Sequence, residues 1–132
     1  MIQPTSDSEK AALIAELQKA GIKHTPEKII RIAKNADGKI LFLEEGKAGK
    51  GGSGLAHILD NHQEDFARRG ITEDQIPDAV IAALVQGRFI RNQGTIFPPR
   101  EIYEIPFNGI TQYIAVSVGN NGYIVGANPA SF

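Results

Sequence analysis

TQYIAVSVGNNGYIVGANP, residues 111–129, reads as two short strands broken by Asn-Asn-Gly. Both halves are rich in β-branched and aromatic residues, and the break offers the positive backbone dihedrals that a tight hairpin needs. Upstream, RFIRNQG (88–94) and REIYEIPFNG (100–109) repeat this pattern, with Asn108-Gly109 as a second turn. An antiparallel meander of three or four strands is therefore expected after Gly87.

Before Gly87 the apolar period changes. SDSEKAALIAELQKAG (6–21) carries candidate caps at Ser6 and Ser8, apolar Leu13, Ile14 and Leu17 on one side, and Gly21 as a stop, which predicts a helix. Thr25-Pro26 repeats a helix-start signal, so Ile29, Ile30, Ile32 and Ala33 are read as a short second helix ending at the Asn35–Gly38 turn. KILFLE (39–44) is short, apolar and bounded by turn residues, the mark of a buried strand. GLAHILDNHQEDF (54–66) places Leu55, Ile58, Leu59, His62 and Phe66 on one helical stripe, with Ser53 as its cap. In GITEDQIPDAVIAALVQG (70–87), Thr72 and Gln75 stand in capping-box relation before the apolar run Val80, Ile81, Leu84 and Val85. The expected order is helices, one strand, two helices and the meander: an α+β fold with helices packed on a twisted antiparallel sheet.

Composition narrows the chemistry. The 132 residues suit one domain, and 14 Lys and Arg against 15 Asp and Glu leave a net charge of −1, so no global basic charge marks a nucleic-acid binder. The absence of cysteine excludes a disulfide framework, a thiolate nucleophile and a cysteine zinc site. No apolar run reaches the roughly 20 residues of a membrane span, and no secretory leader is read at the N-terminus. The glycine-rich loop EGKAGKGGSG (45–54) lacks the Gly-Lys-Ser/Thr ending of a P-loop and is read as a mobile linker whose Lys47 and Lys50 suit a polyanion.

His57 and His62 are the candidate catalytic pair. Five residues turn a helix by about 500°, which puts them about 140° apart, so they share a site only where the helix borders a cleft. Paired zinc-ligand histidines on a helix stand four apart, and no GxSxG elbow accompanies a hydrolase triad, so neither a metal site nor a serine hydrolase is supported. The competing reading of His62 is a hydrogen-bonded histidine on an apolar stripe.

GLAHILDNH, the following Phe66 and Gly70-Ile71, REIYEI and IAVSVGNNGYIVGANP resemble the C-terminal toxin modules of contact-dependent growth inhibition and related filamentous-haemagglutinin-type polymorphic toxins. More specifically they resemble the nuclease superfamily that groups barnase, EndoU, the tRNase colicins and RelE. The resemblance covers residues 25–129 and divides the single domain, 1–132, into a helical extension, 1–24, and a toxin core, 25–132. It implies metal-independent RNA cleavage, with tRNA as the favoured substrate, no cofactor, a cognate immunity protein as partner, and in several such toxins a requirement for elongation factor Tu. It also implies delivery to a target-cell cytoplasm from the tail of a larger secreted or surface protein.

RNA supplies its own nucleophile, the 2′-hydroxyl, so the protein needs proton transfer and cations. Under this resemblance His57 and His62 are the acid-base candidates, with Ser117 and Thr111 beside the last strands. Lys50, Arg88, Arg91 and Arg100 are candidate phosphate contacts, and Asn120 and Tyr113 are candidate RNA contacts, with Tyr103 and Tyr123 as further stacking platforms. His24 is given no role. The near-neutral charge favours a helper that presents the RNA. A non-catalytic module that inhibits a target by occupying it is the alternative.

Overall fold

A computed structural model of the chain describes residues 7–94 and 99–130. The Asn108-Gly109 turn forms as expected. Both residues take positive φ, 55° and 77°, and join β4 (Arg100–Phe107) to β5 (Ile110–Val118) in a hairpin with Phe107 opposite Ile110. With β3 (Arg88–Gln93) and β6 (Ile124–Pro129) these strands form one antiparallel sheet in the order β3-β4-β5-β6. The meander therefore has four strands, and the α+β assignment holds.

The helices are α1 (Asp7–Lys19), α2 (Gly54–Arg68) and α3 (Ile76–Gln86). Gln75 Oε1 accepts the Thr72 N–H at 3.1 Å, which supplies part of the expected capping box ahead of α3, and Pro77 sits in the first turn of that helix. Ser53 occupies the cap position of α2, yet its hydroxyl pairs with Tyr123 Oη at 2.9 Å instead of capping the helix. Ser8 lies inside α1, and Ser6 lies outside the described residues.

One element departs from expectation. Residues 26–28 make only a turn of 3₁₀ helix, and Ile29–Lys34 form a strand, β1, paired antiparallel with β2 (Ile40–Glu44). Thr25-Pro26 does start a helical turn, but three β-branched isoleucines lose side-chain freedom in a helix and gain a partner in β2. Asn35 Oδ1 accepts the N–H groups of Asp37 and Lys39 and shapes the connecting turn. The order is thus helix, two strands, two helices, four strands.

Alternation divides the sheet into two faces. Tyr103, Ile105 and Phe107 of β4, with Ile114 and Val116 of β5, pack on Ile58 and Phe66 of α2 and Val80 and Ala83 of α3 in the main core. A second cluster holds α1 to the β1-β2 hairpin through Leu17, Ile29, Ile32 and Phe42. The opposite face carries Arg100, Ile102 and Glu104 of β4 and Tyr113, Ala115 and Ser117 of β5, with a small apolar centre at Ile102 and Ala115. The main packing of α2 is against β6, at the sheet's edge, so one flank of that helix reaches this second face.

The glycine-rich loop closes on itself rather than lying fully open. The N–H groups of Lys47 and Ser53 each donate to the other's carbonyl, at 2.9 and 3.0 Å, and Lys50 is exposed at the loop's tip.

Candidate active site

Strand register brings two of the predicted residues, Arg100 and Ser117, together before any helix is considered. Arg100 lies opposite Ser117, and Ser117 lies opposite Gly126, so the three form one row across β4, β5 and β6. The Arg100 guanidinium reaches diagonally to β6 and donates from Nη1 to Asn128 Oδ1 at 2.8 Å. Ser117 is buried, and its hydroxyl makes only a long bond, 3.4 Å, to the Gly126 carbonyl.

α2 brings His57 to this row. A Cβ built on Gly126 would sit 3.5 Å from Ser117 Oγ, 3.5 Å from His57 Cδ2 and 3.7 Å from His57 Nε2. The imidazole edge and the hydroxyl therefore flank a gap that exists because residue 126 has no side chain. Asn61, one helical turn on, orients the ring. Its Nδ2 donates to the His57 carbonyl at 2.9 Å and to Nδ1 at 3.1 Å. A backbone carbonyl only accepts, so this end of the amide is the NH₂, Nδ1 is the acceptor, and neutral His57 carries its proton on Nε2, the atom beside Gly126. The arrangement sets an imidazole N–H and a hydroxyl at one small gap, with a guanidinium held two residues along β6, a set of donors that suits an anion.

The remaining predicted residues fall elsewhere. His62 is half-buried at the side of the α2 stripe, and its Nδ1 pairs with Asp65 Oδ2 at 3.0 Å, within its own helix and away from Gly126. Thr111 shares this second face of the sheet but stands six residues from Ser117 along β5, roughly 20 Å away at strand spacing. Asn120 lies in the turn after β5 and lines a separate cavity of about 310 Å³ with Asn35, Lys39, Glu101 and Tyr103. There Tyr103 donates to Glu101 at 2.9 Å; burial first, and this carboxylate second, raise its hydroxyl pKa well above the usual value. Tyr123 binds Ser53, and His24 donates from Nδ1 to the Ile22 carbonyl at 2.7 Å. Arg91 is exposed on β3, opposite Ile102. Among the described residues no group of three or more His, Cys, Asp or Glu is placed to hold a metal ion.

Arg88, Glu104 and Tyr113 form a second cluster on the same face, on neighbouring positions of β3, β4 and β5. Tyr113 donates to Glu104 Oε2 at 3.0 Å and Arg88 to Oε1 at 3.1 Å. The Tyr113 bond first, and the Arg88 bond second, hold the Glu104 carboxyl below the ordinary carboxylate range. The same Tyr113–Glu104 bond raises the tyrosine pKa. Tyr113→Phe removes the larger cause, so the Glu104 titration should move upward toward the ordinary carboxylate value, as followed by carbon-13 NMR of the carboxyl. An unchanged titration would show that the hydroxyl does not act on Glu104.

Four contributors were missed in the sequence: Asn61, Gly126, Asn128 and Glu104. Asn61 lies four residues after His57, the spacing of helix neighbours, and Gly126 is a lone glycine in a strand pattern, a known mark of close approach. Asn128 and Glu104 carry no comparable signal of their own. Compared with family models and with curated proteins, the chain matches none.

Gly126→Ala tests the gap directly. The built Cβ makes only ordinary contacts, and the backbone of residue 126 does not take positive φ, so the variant should fold with its melting temperature little changed. Its methyl enters the space between His57 and Ser117, so a reaction carried out at this gap should slow about 100-fold, the scale of a misplacement of about 1 Å. Full activity in this variant would show that the gap does not receive the reacting group.

Proposed function

We propose that the chain is the toxin module of a contact-dependent or related polymorphic toxin and cleaves RNA without a metal ion. The observation that carries this reading is the approach of His57 Nε2 and the Ser117 hydroxyl to one side of Gly126, with the Arg100 guanidinium tethered to Asn128 two residues further along β6. In this reading the scissile phosphate sits over Gly126. Arg100 offsets its charge, Ser117 donates to a non-bridging oxygen, and His57 faces the departing 5′-oxygen through Nε2, becoming an acid once Nδ1 takes up a proton and its bond from Asn61 opens.

The 2′-oxygen attacks the adjacent phosphorus, and the P–O5′ bond breaks. The 2′-hydroxyl proton leaves to water, and the 5′-oxygen takes the proton of His57 Nε2. The products are a 2′,3′-cyclic phosphate and a 5′-hydroxyl, and no cofactor enters the balance. His62 takes no part, because its Nδ1 is held by Asp65 on another flank of the helix. Lys50, Arg88, Arg91 and Tyr113 lie outside the reacting row; in this reading they contact more distant parts of the RNA, with tRNA as the favoured substrate.

A cognate immunity protein blocks the sheet face that carries Arg100 and Ser117, and elongation factor Tu serves as the helper that a near-neutral chain calls for. Delivery occurs from the tail of a larger secreted or surface protein into the target-cell cytoplasm. The test is incubation of the purified chain with total bacterial RNA in chelator, with and without target-cell extract, read on a denaturing gel. Discrete fragments ending in a cyclic phosphate are expected, and dependence on extract identifies a helper. RNA that stays intact in both conditions replaces this reading with a module that inhibits by occupancy.

A further inference from the structure

On the face of β4 and β5 turned away from Arg100 and Ser117 lies the cavity of about 310 Å³. Asn35 and Lys39 of the β1-β2 turn line it on one side, and Glu101 and Tyr103 at the start of β4 line it on the other. Leu41, Leu84 and Val118 supply the apolar part of the lining. Lys39 and Glu101 carry opposite charge and border one cavity, yet no ion pair joins them, and the Lys39 ammonium bonds no described residue.

Each side keeps unspent hydrogen-bonding capacity of one kind. Asn35 Oδ1 accepts the N–H groups of Asp37 and Lys39, so the other end of that amide is the NH₂, and its hydrogens bond no described residue. With the Lys39 ammonium, the side chains of the turn offer donors only. On the strand side, Glu101 Oε1 takes one bond, from Tyr103, and Oε2 takes none from a described residue. Burial first, and the Glu101 bond second, keep the Tyr103 hydroxyl protonated well above neutral pH, so this donor holds the carboxylate in place. The Tyr103 ring is in turn set edge-on against Phe89 at 5.9 Å.

We infer that this cavity binds a small zwitterion, an aliphatic α-amino acid, with its ammonium on Glu101 and its carboxylate on Lys39 and Asn35. A ligand carrying both charges gives each side of the cavity its counter-charge, whereas a simple anion also meets Glu101 and a simple cation also meets Lys39. The volume stands at the low end of the roughly 300–1,000 Å³ of small-molecule sites, which suits a molecule of amino-acid size. Leu41, Leu84 and Val118 receive the aliphatic side chain. The inference does not depend on the ribonuclease reading, because the cavity and the Arg100–Ser117 row lie on opposite faces of the sheet.

The experiment is an NMR titration of the full chain with L-leucine, followed at the Asn35 side-chain NH₂ and the backbone N–H groups of Lys39, Glu101 and Tyr103. Two analogues keep the aliphatic body: 4-methylpentanoate lacks the ammonium, and 3-methylbutylamine lacks the carboxylate. Leucine should shift these signals saturably, and each analogue should bind about tenfold more weakly, the scale of one charge-assisted contact. Lys39→Met should weaken leucine by about the same factor and leave 3-methylbutylamine unaffected, and Glu101→Gln should do the converse with 4-methylpentanoate. Absence of a saturable shift at these signals, or equal binding of the three compounds by the parent chain, overturns the inference. The comparison of compounds needs no substitution, so a poorly folded variant does not blunt it.

Discussion

Replacing His57 with alanine should lower RNA cleavage by about 100- to 10,000-fold, the usual range for loss of a positioned general acid, while His62→Ala should cleave near the parent rate. Both histidines lie on α2 and both are half-buried, so burial does not separate them. Their partners do. Asn61 binds Nδ1 of His57 and leaves Nε2 beside Gly126, whereas His62 spends its Nδ1 on Asp65. Single-turnover cleavage in chelator, with melting curves on both variants, is the measurement. Equal losses in the two variants, or none in His57→Ala, would sink the assignment of the proton donor. Asn61→Ala refines it: the ring stays but its orientation is freed, so the rate should drop by less than in His57→Ala.

Phe42→Ala should destabilise the fold by about 3–5 kcal/mol, the range for deleting a buried phenyl ring. That is a large share of the roughly 5–15 kcal/mol that separates folded from unfolded states in typical domains. Phe42 is fully buried between the β1-β2 hairpin and α1. Its ring meets Tyr123 edge-on at 5.7 Å, and its N–H donates to the Gly122 carbonyl at 3.0 Å. Through Tyr123, whose hydroxyl binds Ser53 at the start of α2, the hairpin is tied to the helix that carries His57. Denaturant unfolding measures the loss. A cost under about 1 kcal/mol, the scale of surface substitutions, would mean that the hairpin is not an integral part of the fold. The residual folded fraction should also cleave more slowly.

Much of the architecture follows from local chemistry. Asn108-Gly109 fixes a two-residue turn, and once that turn is set, every β4-β5 pair follows by counting outward from Phe107 and Ile110. The opposition of Arg100 to Ser117 and of Glu104 to Tyr113 was therefore implicit in the sequence. The capping-box spacing of Thr72 and Gln75, the apolar run of α3 and the stripe of α2 were legible for the same reason, since each depends on contacts within a few residues. Residues 29–34 were misread because a cap-like Thr25-Pro26 competes locally with a strand whose partner, β2, is what stabilises it.

What the sequence determined by itself is the α+β composition, an antiparallel meander of three or four strands and the Asn108-Gly109 turn that sets the β4-β5 register, because turn geometry and alternation are short-range. Only the tertiary structure decided which histidine meets the row of Arg100 and Ser117. β6 carries a bulge between its pairings with Ser117 and Val118, and α2 docks along this edge through Ile58 and Phe66. Those long-range packing contacts set the rotation of α2, and a rotation of about 140° is all that distinguishes His57 over Gly126 from His62 beside Asp65.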